Sequence, residues 1–379
     1  MVIKMSEWCY HNPVEIHFGP GVIDNLPNFV SGKAVLVTTP GTTKRGISLK
    51  IRKLLGTSLV ALLDKVEPNP TFETIKAAYR ELKQVEYDLI IAVGGGSAID
   101  TAKAVVAIET SGNEVWIYEH LKYNTPITAP FNPKPVIAIP TTAGTGSEVT
   151  MWATVWDMEE KKKYSLSHPK LYPKIALLDP ELTLTLPEKE TIYSGLDALS
   201  HAMEAIWNKN SNPVSDTFAL KALSLIYDYL PELRSNLTNS VLRTHMLRAS
   251  LFAGLAFSNT KTALAHSISY PLTAHFGLPH GLACALPLPH ILRFNARKAA
   301  ERIKIMAEAF KADTTAESMI SEITNLFERI DLSLSLSDYG IDKSQVELIV
   351  NSAFTPGRAD NNIAEFNEDD IFNIINQLF

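Results

Sequence analysis

The feature that most constrains the fold of this chain is a change of hydrophobic rhythm near residue 187. Before it, short apolar runs rich in β-branched residues recur with helical stretches between them. They are KAVLVTT (33–39), SLVALLD (58–64), YDLIIAVGG (87–95), PVIAIPTT (135–142) and KIALLDP (174–180). A strand covered on both faces shows no polar side, so it reads as a continuous apolar run; these runs predict a parallel sheet flanked by helices. After Pro187 the pattern becomes continuously helical, as in TIYSGLDALSHAMEAIW, SDTFALKALSLIYDYLPEL and HMLRASLFAGLAF. The expected organisation is therefore an α/β unit over residues 1–187 and an all-α unit over residues 188–379.

Composition narrows the function. With 379 residues, 46% of them hydrophobic and 20% charged, the chain is long enough for two or three domains and can bury a sizeable core. Its formal charge of −6 comes without a long run of either sign, which speaks against a nucleic-acid surface and for a small diffusible ligand. Cys9 and Cys284 stand far apart, form no CxxC, and read as reduced thiols. The first residues carry no apolar leader core, and no run approaches a membrane span, so a soluble, cytoplasmic protein without a membrane partner is expected.

Three loops leave strands in a manner suited to phosphate. In IAVGGGSAIDTAK a strand ends in glycines and a helix opens at once. Backbone without Cβ atoms at Gly95 and Gly96, with Ser97 and the N–H groups of the first turn, can meet a pyrophosphate, and Asp100 lies nearby. The spacing is not GxGxxG, and a tight strand-to-helix turn alone would look the same. PTTAGTGSEVT (140–150) follows a second strand with hydroxyls at Thr141, Thr142 and Thr145, and EPNPT (67–71) follows a third, with Asn69. Loops at the carboxyl ends of neighbouring parallel strands line one crevice.

The helical half supplies metal candidates. Asp197 and His201 lie four apart in GLDALSHAMEA and so share a helix face. In isolation they would make an ordinary ion pair. His266, in a small apolar helix, and His280, in GLPHG, would complete a set of one carboxylate and three imidazoles with room for a substrate oxygen. A hydrogen-bonded core role is open to each histidine separately.

Taken together, FGPG (18–21), GGGSAIDTAK, PTTAGTGSEVT, LLDPELT, GLDALSHAMEA, LPHG and GRADNN (357–362) resemble the iron-containing, or group III, alcohol dehydrogenase family over nearly the whole chain. The resemblance implies a Rossmann-like NAD(P)-binding N-terminal domain, an α-helical C-terminal domain and a metal between them. It assigns the metal to Asp197, His201, His266 and His280, pyrophosphate contacts to Gly95, Gly96 and Ser97, and further cofactor contacts to Asn69, Thr141, Thr142, Thr145, Lys163 and Leu182. Iron is the implied ion, although such a set also accepts zinc or manganese. The expected assembly is a homodimer or higher homo-oligomer, with no sequence feature to specify it.

Two departures bear on specificity. Where the family often has an acid after the first strand to bond the adenosine ribose, this chain has Thr39. Repulsion of a 2'-phosphate is then absent, so NAD(H) is expected with NADP(H) admitted. In SNTKTALAHSISYPL (258–272), Lys261 replaces a small residue and Tyr270 replaces a second histidine. Thr262, His266 and Tyr270 are spaced four apart, which would place them on one helix face, and an N-cap at Asn259 would put Lys261 in a first turn. The pattern resembles the branch that reduces phosphonoacetaldehyde or sulfoacetaldehyde, with Lys261 receiving the anion. The expected function is metal-dependent reduction of a short anionic aldehyde. The alternatives are a primary-alcohol or 1,3-diol dehydrogenase with a neutral pocket, or a nucleotide-binding protein without turnover.

Overall fold

The computed structural model describes residues 7–127, 130–354 and 357–379. The strands are β1 (Glu15–Phe18), β2 (Ala34–Thr38), β3 (Leu59–Leu63), β4 (Leu89–Gly94), β5 (Val136–Pro140), β6 (Trp152–Asp157), β7 (Lys162–Ser167) and β8 (Ile175–Leu178). In the first half the helices are α1 (Pro40–Lys44), α2 (Ile47–Leu55), α3 (Phe72–Leu82), α4 (Gly96–Ser111) and α5 (Trp116–Tyr123). The helices that follow are α6 (Glu188–Ile206), α7 (Pro213–Ser235), α8 (Ser240–Thr260), α9 (Leu264–Phe276), α10 (His280–Ala285), α11 (Leu288–Lys304), α12 (Ala316–Arg329), α13 (Val346–Ala353) and α14 (Glu368–Asn376).

Six strands form one parallel sheet in the order β1-β8-β5-β4-β2-β3, as the apolar runs predict. Successive residues of each strand face opposite cores. Val35, Val37, Ile90, Ala92 and Ala138 pack with α3 and α4, while Leu36, Leu89, Ile91 and Ile139 pack with α2 and the turn at 22–28. The chain runs from β2 outward to β3 at the edge and then back past β2 to β4, so the order reverses between β2 and β4. Open α/β sheets bind ligands outside the carboxyl ends of strands at such a point. Gly94 at the end of β4 pairs in register with Pro140 at the end of β5, so their loops emerge side by side.

Three strands were not expected from the sequence. β1 adds to the sheet edge beside β8, and β6 and β7 form a separate antiparallel hairpin.

Helices take over at α6, which starts with Glu188 and Glu190 in its first turn, where acids favour the helix dipole. They surround a large apolar core. Among the described residues no helix is long and apolar enough to cross a membrane.

Candidate metal centre and cofactor crevice

Asp197 and His201 rise from one face of α6, His266 from the first turns of α9, and His280 from the start of α10. Measured from Asp197 Oδ1, the Nε2 atoms of His201, His266 and His280 lie at 3.9, 3.6 and 4.0 Å. Asp197 Oδ1 and His266 Nε2 are buried without a hydrogen-bond partner. Buried polar atoms are normally paired, so a convergent orphan set calls for a ligand.

The protonation pattern agrees with a cation. Burial opposes the charged Asp197, but the imidazoles of His201, then His266 and His280, outweigh it and hold the carboxyl below the ordinary carboxylate range. Burial pushes His201 down to about 4 and drives His280 well below its usual value, the latter with help from Lys163. Both rings are therefore neutral at neutral pH. His266 is also disfavoured as a cation by burial, yet Cys284 and Glu204 reverse the sign and raise it well above its usual value. The cluster attracts positive charge and fits a divalent ion.

Glu204 holds this geometry and was not singled out from the sequence. It lies seven residues after Asp197, two helical turns along the same face, and is fully buried. One oxygen meets His266 Nδ1 at 2.6 Å and accepts from the Ala263 N–H at 2.8 Å; the other accepts from Ala265 N–H at 2.5 Å and His266 N–H at 3.2 Å. Ala263 gives α9 no side-chain cap, so Glu204 satisfies the free donors of that helix from outside. By holding the proton on Nδ1, it leaves Nε2 for a metal.

The close meeting of α10 and α6 depends on Gly281. A Cβ there would run into the Tyr193 carbonyl oxygen and approach the Asp197 Cβ at 3.1 Å.

Gly95, Gly96, Thr141, Thr142 and Thr145 lie on the two loops that follow β4 and β5. Gly95 caps α4, and a Cβ on it would meet Thr142 Oγ1 at 3.3 Å; one on Gly96 would meet Thr145 Cγ2 at 2.9 Å. The two loops thus press together with only bare backbone between them. Lys103, fully buried, donates to the carbonyls of Ser147, Thr150 and Trp152 at 2.7, 2.8 and 2.9 Å and fastens the second loop to α4. Burial pushes its ammonium down to about 8. Asp100 accepts from the Ser147 hydroxyl and from Thr154 N–H, so its carboxylate braces the loop rather than standing free. Ser97 is half-buried at the start of α4.

Arg45 donates to Thr141 Oγ1 at 2.9 Å and to the Leu182 carbonyl at 3.3 Å, joining two cofactor candidates. Asn69 is exposed with φ of 56°, a left-handed conformation that asparagine tolerates, and Pro70 beside it accepts from Trp156 N–H. Thr39 is the N-cap of α1 and accepts from Thr42 N–H at 3.2 Å.

The loop at 140–150 also reaches the helical half. A Cβ on Gly144 would lie 2.6 Å from the Ser194 carbonyl, and one on Gly146 would lie 2.6 Å from Gly254 Cα. Ser194 is three residues before Asp197, so crevice and metal cluster share a wall.

The structure corrects the reading of residues 258–272. Asn259 is not an N-cap. It belongs to the last turn of α8, and its amide accepts from His11 N–H and donates to His11 C=O. Lys261 is the exposed residue that ends α8, with φ of 69°, and not part of a first turn. Thr262 precedes α9 and shares no helix face with His266; its carbonyl accepts from Asn361 at 2.9 Å. Helix periodicity could not reveal that two helices are separated here by a short linker.

His266 and Tyr270 do share a face of α9, and Tyr270 gathers two cations. Its hydroxyl oxygen accepts from Arg358, whose guanidinium lies 4.8 Å from the ring centroid. The Lys163 ammonium is 4.5 Å from that centroid and donates to His280 Nε2 at 3.3 Å. Lys163 pairs across the β6–β7 hairpin with Trp156, whose ring meets Tyr270 edge-on. The Tyr270 ring in turn stacks 6.2 Å from His280. Lys163 therefore stands beside the metal cluster, and the GRADNN segment brings Arg358 to the same place.

A parallel sheet with a glycine-bearing loop at its switch point, beside a helical half that carries a buried Asp/His cluster, has the architecture of a nucleotide-linked metal oxidoreductase. Two family models match, iron-containing alcohol dehydrogenase over residues 13–180 and the Fe-containing alcohol dehydrogenase C-terminal domain over residues 191–379. The chain belongs to this family. It is 33% identical to the NADPH-dependent butanol dehydrogenase of Clostridium saccharobutylicum, covering 97% of each chain, and 32% identical to the 1,3-propanediol dehydrogenase of Klebsiella pneumoniae, covering 96% of each. A crystal structure of sulfoacetaldehyde reductase from Bifidobacterium kashiwanohense in complex with NAD+ superposes with a TM-score of 0.91 at 30% identity, covering 98% of this chain and 99% of that one. The protein is an enzyme, an iron-type alcohol dehydrogenase that uses a nicotinamide cofactor.

Proposed function

We propose that this enzyme reduces a short anionic aldehyde, sulfoacetaldehyde or phosphonoacetaldehyde, to the corresponding alcohol. The observation that carries the reading is the convergence of Lys163 and Arg358 on Tyr270 beside His280. Two cations and a hydroxyl next to the metal cluster suit a tetrahedral oxyanion one carbon from a carbonyl. Arginine in particular offers a fork of donors to such a group.

Asp197, His201, His266 and His280 are the proposed ligands of the ion. When bound, the ion supplies a Lewis acid for the carbonyl oxygen, and the nicotinamide supplies the hydride. The chain's own residues do the rest. Gly95, Gly96, Ser97, Thr142 and Thr145 seat the pyrophosphate, while Thr141, Leu182 and Asn69 line the remainder of the crevice. Lys163 and Arg358 orient the acid end of the substrate. Because Arg358 donates to the Tyr270 oxygen, the hydroxyl hydrogen of Tyr270 is left for an acceptor in the pocket. Free thiols at Cys9 and Cys284 suit a reducing cytoplasm.

Steady-state kinetics with sulfoacetaldehyde, phosphonoacetaldehyde and propanal test this reading. Arg358→Ala and Lys163→Ala should each raise KM for the charged aldehydes by roughly 10–100-fold, the worth of a charge-assisted hydrogen bond. Propanal should change by less than about three-fold, since it has no anion to lose a partner. Lys261→Ala should alter neither, because that side chain is exposed. Equal effects on charged and neutral aldehydes would favour the neutral-pocket reading, which the butanol and propanediol relatives support.

Thr39 makes a separate point about the cofactor. Aspartate at this position would still cap α1 while restoring a negative charge near the ribose. Thr39→Asp should shift the NADH-to-NADPH ratio of kcat/KM at least about ten-fold toward NADH, or roughly 1.4 kcal/mol. An unchanged ratio would show that Thr39 does not face the 2'-position.

A further inference from the structure

The fold assembles a second ligand set that overlaps the first. On α10, His280 and Cys284 are four apart and so rise from one face, as Asp197 and His201 do on α6. Cys284 is a free, fully buried thiol whose sulfur lies 3.7 Å from His280 Nδ1 and 3.8 Å from His280 Nε2. One ligating atom from each of Asp197, His266, His280 and Cys284 lies within 4.8 Å of all the others. A buried thiol beside a histidine would mean little by itself. The independent mark is that Asp197 Oδ1 and His266 Nε2, on side chains only 6% and 2% exposed, point into the same space without a partner.

The four donors lie close to the spacing of a coordination shell. Four donors about 2.0–2.3 Å from a common ion in tetrahedral arrangement stand roughly 3.3–3.6 Å apart. Asp197 Oδ1 is 3.6 Å from His266 Nε2 and 4.0 Å from His280 Nε2, and the sulfur is 3.8 Å from His280 Nε2. The sulfur lies almost equidistant from the two His280 nitrogens and the four atoms spread over as much as 4.8 Å, so closing the tetrahedron takes a turn of the His280 ring or the Cys284 side chain of roughly an ångström.

We propose that Cys284 is a metal ligand in this chain, and that the set Asp197, His266, His280 and Cys284 takes a soft divalent ion, zinc above all, in competition with iron at the Asp197/His201/His266/His280 set. The physical reason is that a thiolate raises affinity for zinc more than for hard ions such as Mn2+. Ligation transfers no electrons. The thiol proton leaves to solvent, and a sulfur lone pair goes to the ion. His201 is the ligand this second set does not need. The proposal rests on the reading that the cluster binds a metal, and the experiment separates the two.

Full-length protein stripped of metal is titrated with Co2+, whose spectrum reports its ligands. The wild type is expected to show visible d–d absorption together with a near-ultraviolet thiolate-to-cobalt charge-transfer band, and Cys284→Ser is expected to keep the first and lose the second. Direct competition titrations should find Zn2+ affinity at least about ten-fold weaker in Cys284→Ser, with Mn2+ affinity changed by less than about two-fold. His201→Ala should keep zinc within about three-fold of the wild type, because its loss leaves the cysteine set whole. Visible bands in the wild type without a charge-transfer band would overturn the proposal and leave the metal reading standing. No cobalt binding at all would overturn both. The wild-type spectrum decides the matter even if a variant fails to fold.

Discussion

Replacing Glu204 with alanine is expected to strip the enzyme of its metal and to lower its stability by about 3–5 kcal/mol, the usual cost of breaking a buried charged pair. The carboxylate serves the backbone N–H groups of Ala263, Ala265 and His266 together with His266 Nδ1, and nothing else among its described contacts would replace it. Each buried donor left alone costs about 1–3 kcal/mol. The more informative variant is Glu204→Gln. Glutamine keeps one carbonyl oxygen for the helix donors, but turning its amide N–H toward Nδ1 forces the imidazole proton onto Nε2, the atom that faces Asp197. Metal affinity should fall roughly 10–100-fold while the melting temperature falls much less than in the alanine variant. Metal titration alongside thermal unfolding checks this. A glutamine variant that binds metal like the wild type would remove the tautomer argument.

Gly281→Ala is expected to have the next largest effect. Its Cβ would collide with the Tyr193 carbonyl, a backbone atom that cannot rotate away, so α10 must retreat from α6. Overpacking of this kind costs about 1–3 kcal/mol, and the retreat lengthens the 4.0 Å gap between Asp197 Oδ1 and His280 Nε2. Metal affinity should drop more than about ten-fold, the loss typical of a displaced ligand shell. Gly41→Ala is the control. A Cβ there meets only Thr39 Oγ1, at 3.9 Å, so the substitution should be neutral or stabilising by up to about 1 kcal/mol. Similar metal loss in both variants would show that generic glycine replacement, not the α10–α6 contact, is responsible.

The sheet was legible because each buried strand had to be apolar on both faces, and β2, β4, β5 and β8 fall within the runs that announced them. The Asp/His cluster was legible where spacing alone fixed it, at Asp197 and His201, and where motifs carried it, at His266 and His280. What escaped was set by contacts far apart in the chain. WATVWD alternates and is followed by a polar turn, yet it lay between two stronger strand signals, so the hairpin that carries Lys163 was missed. Arg358 reaches Tyr270 across 88 residues, beyond any periodic signal. Lys261 was misplaced because Asn259 looks like a cap; its amide is instead committed to the backbone of His11, near the other end of the sequence. Glu204 was readable in principle, seven residues from Asp197 on the same helical stripe.

The seam between the two halves has a consequence for how this enzyme can be recombined with its relatives. Gly146 and Gly254 meet backbone to backbone, with Val149 against the same glycine, and neither side has room for a Cβ. A chimera that takes its nucleotide-binding half from one parent and its helical half from another closes only if both parents bring glycine to this junction. The hairpin carrying Lys163 belongs to the same junction, since β7 packs on α9 and Lys163 meets His280 and Tyr270, so it too must match the helical half. The register between the two halves is therefore inherited together with the contacts that surround the Asp/His cluster.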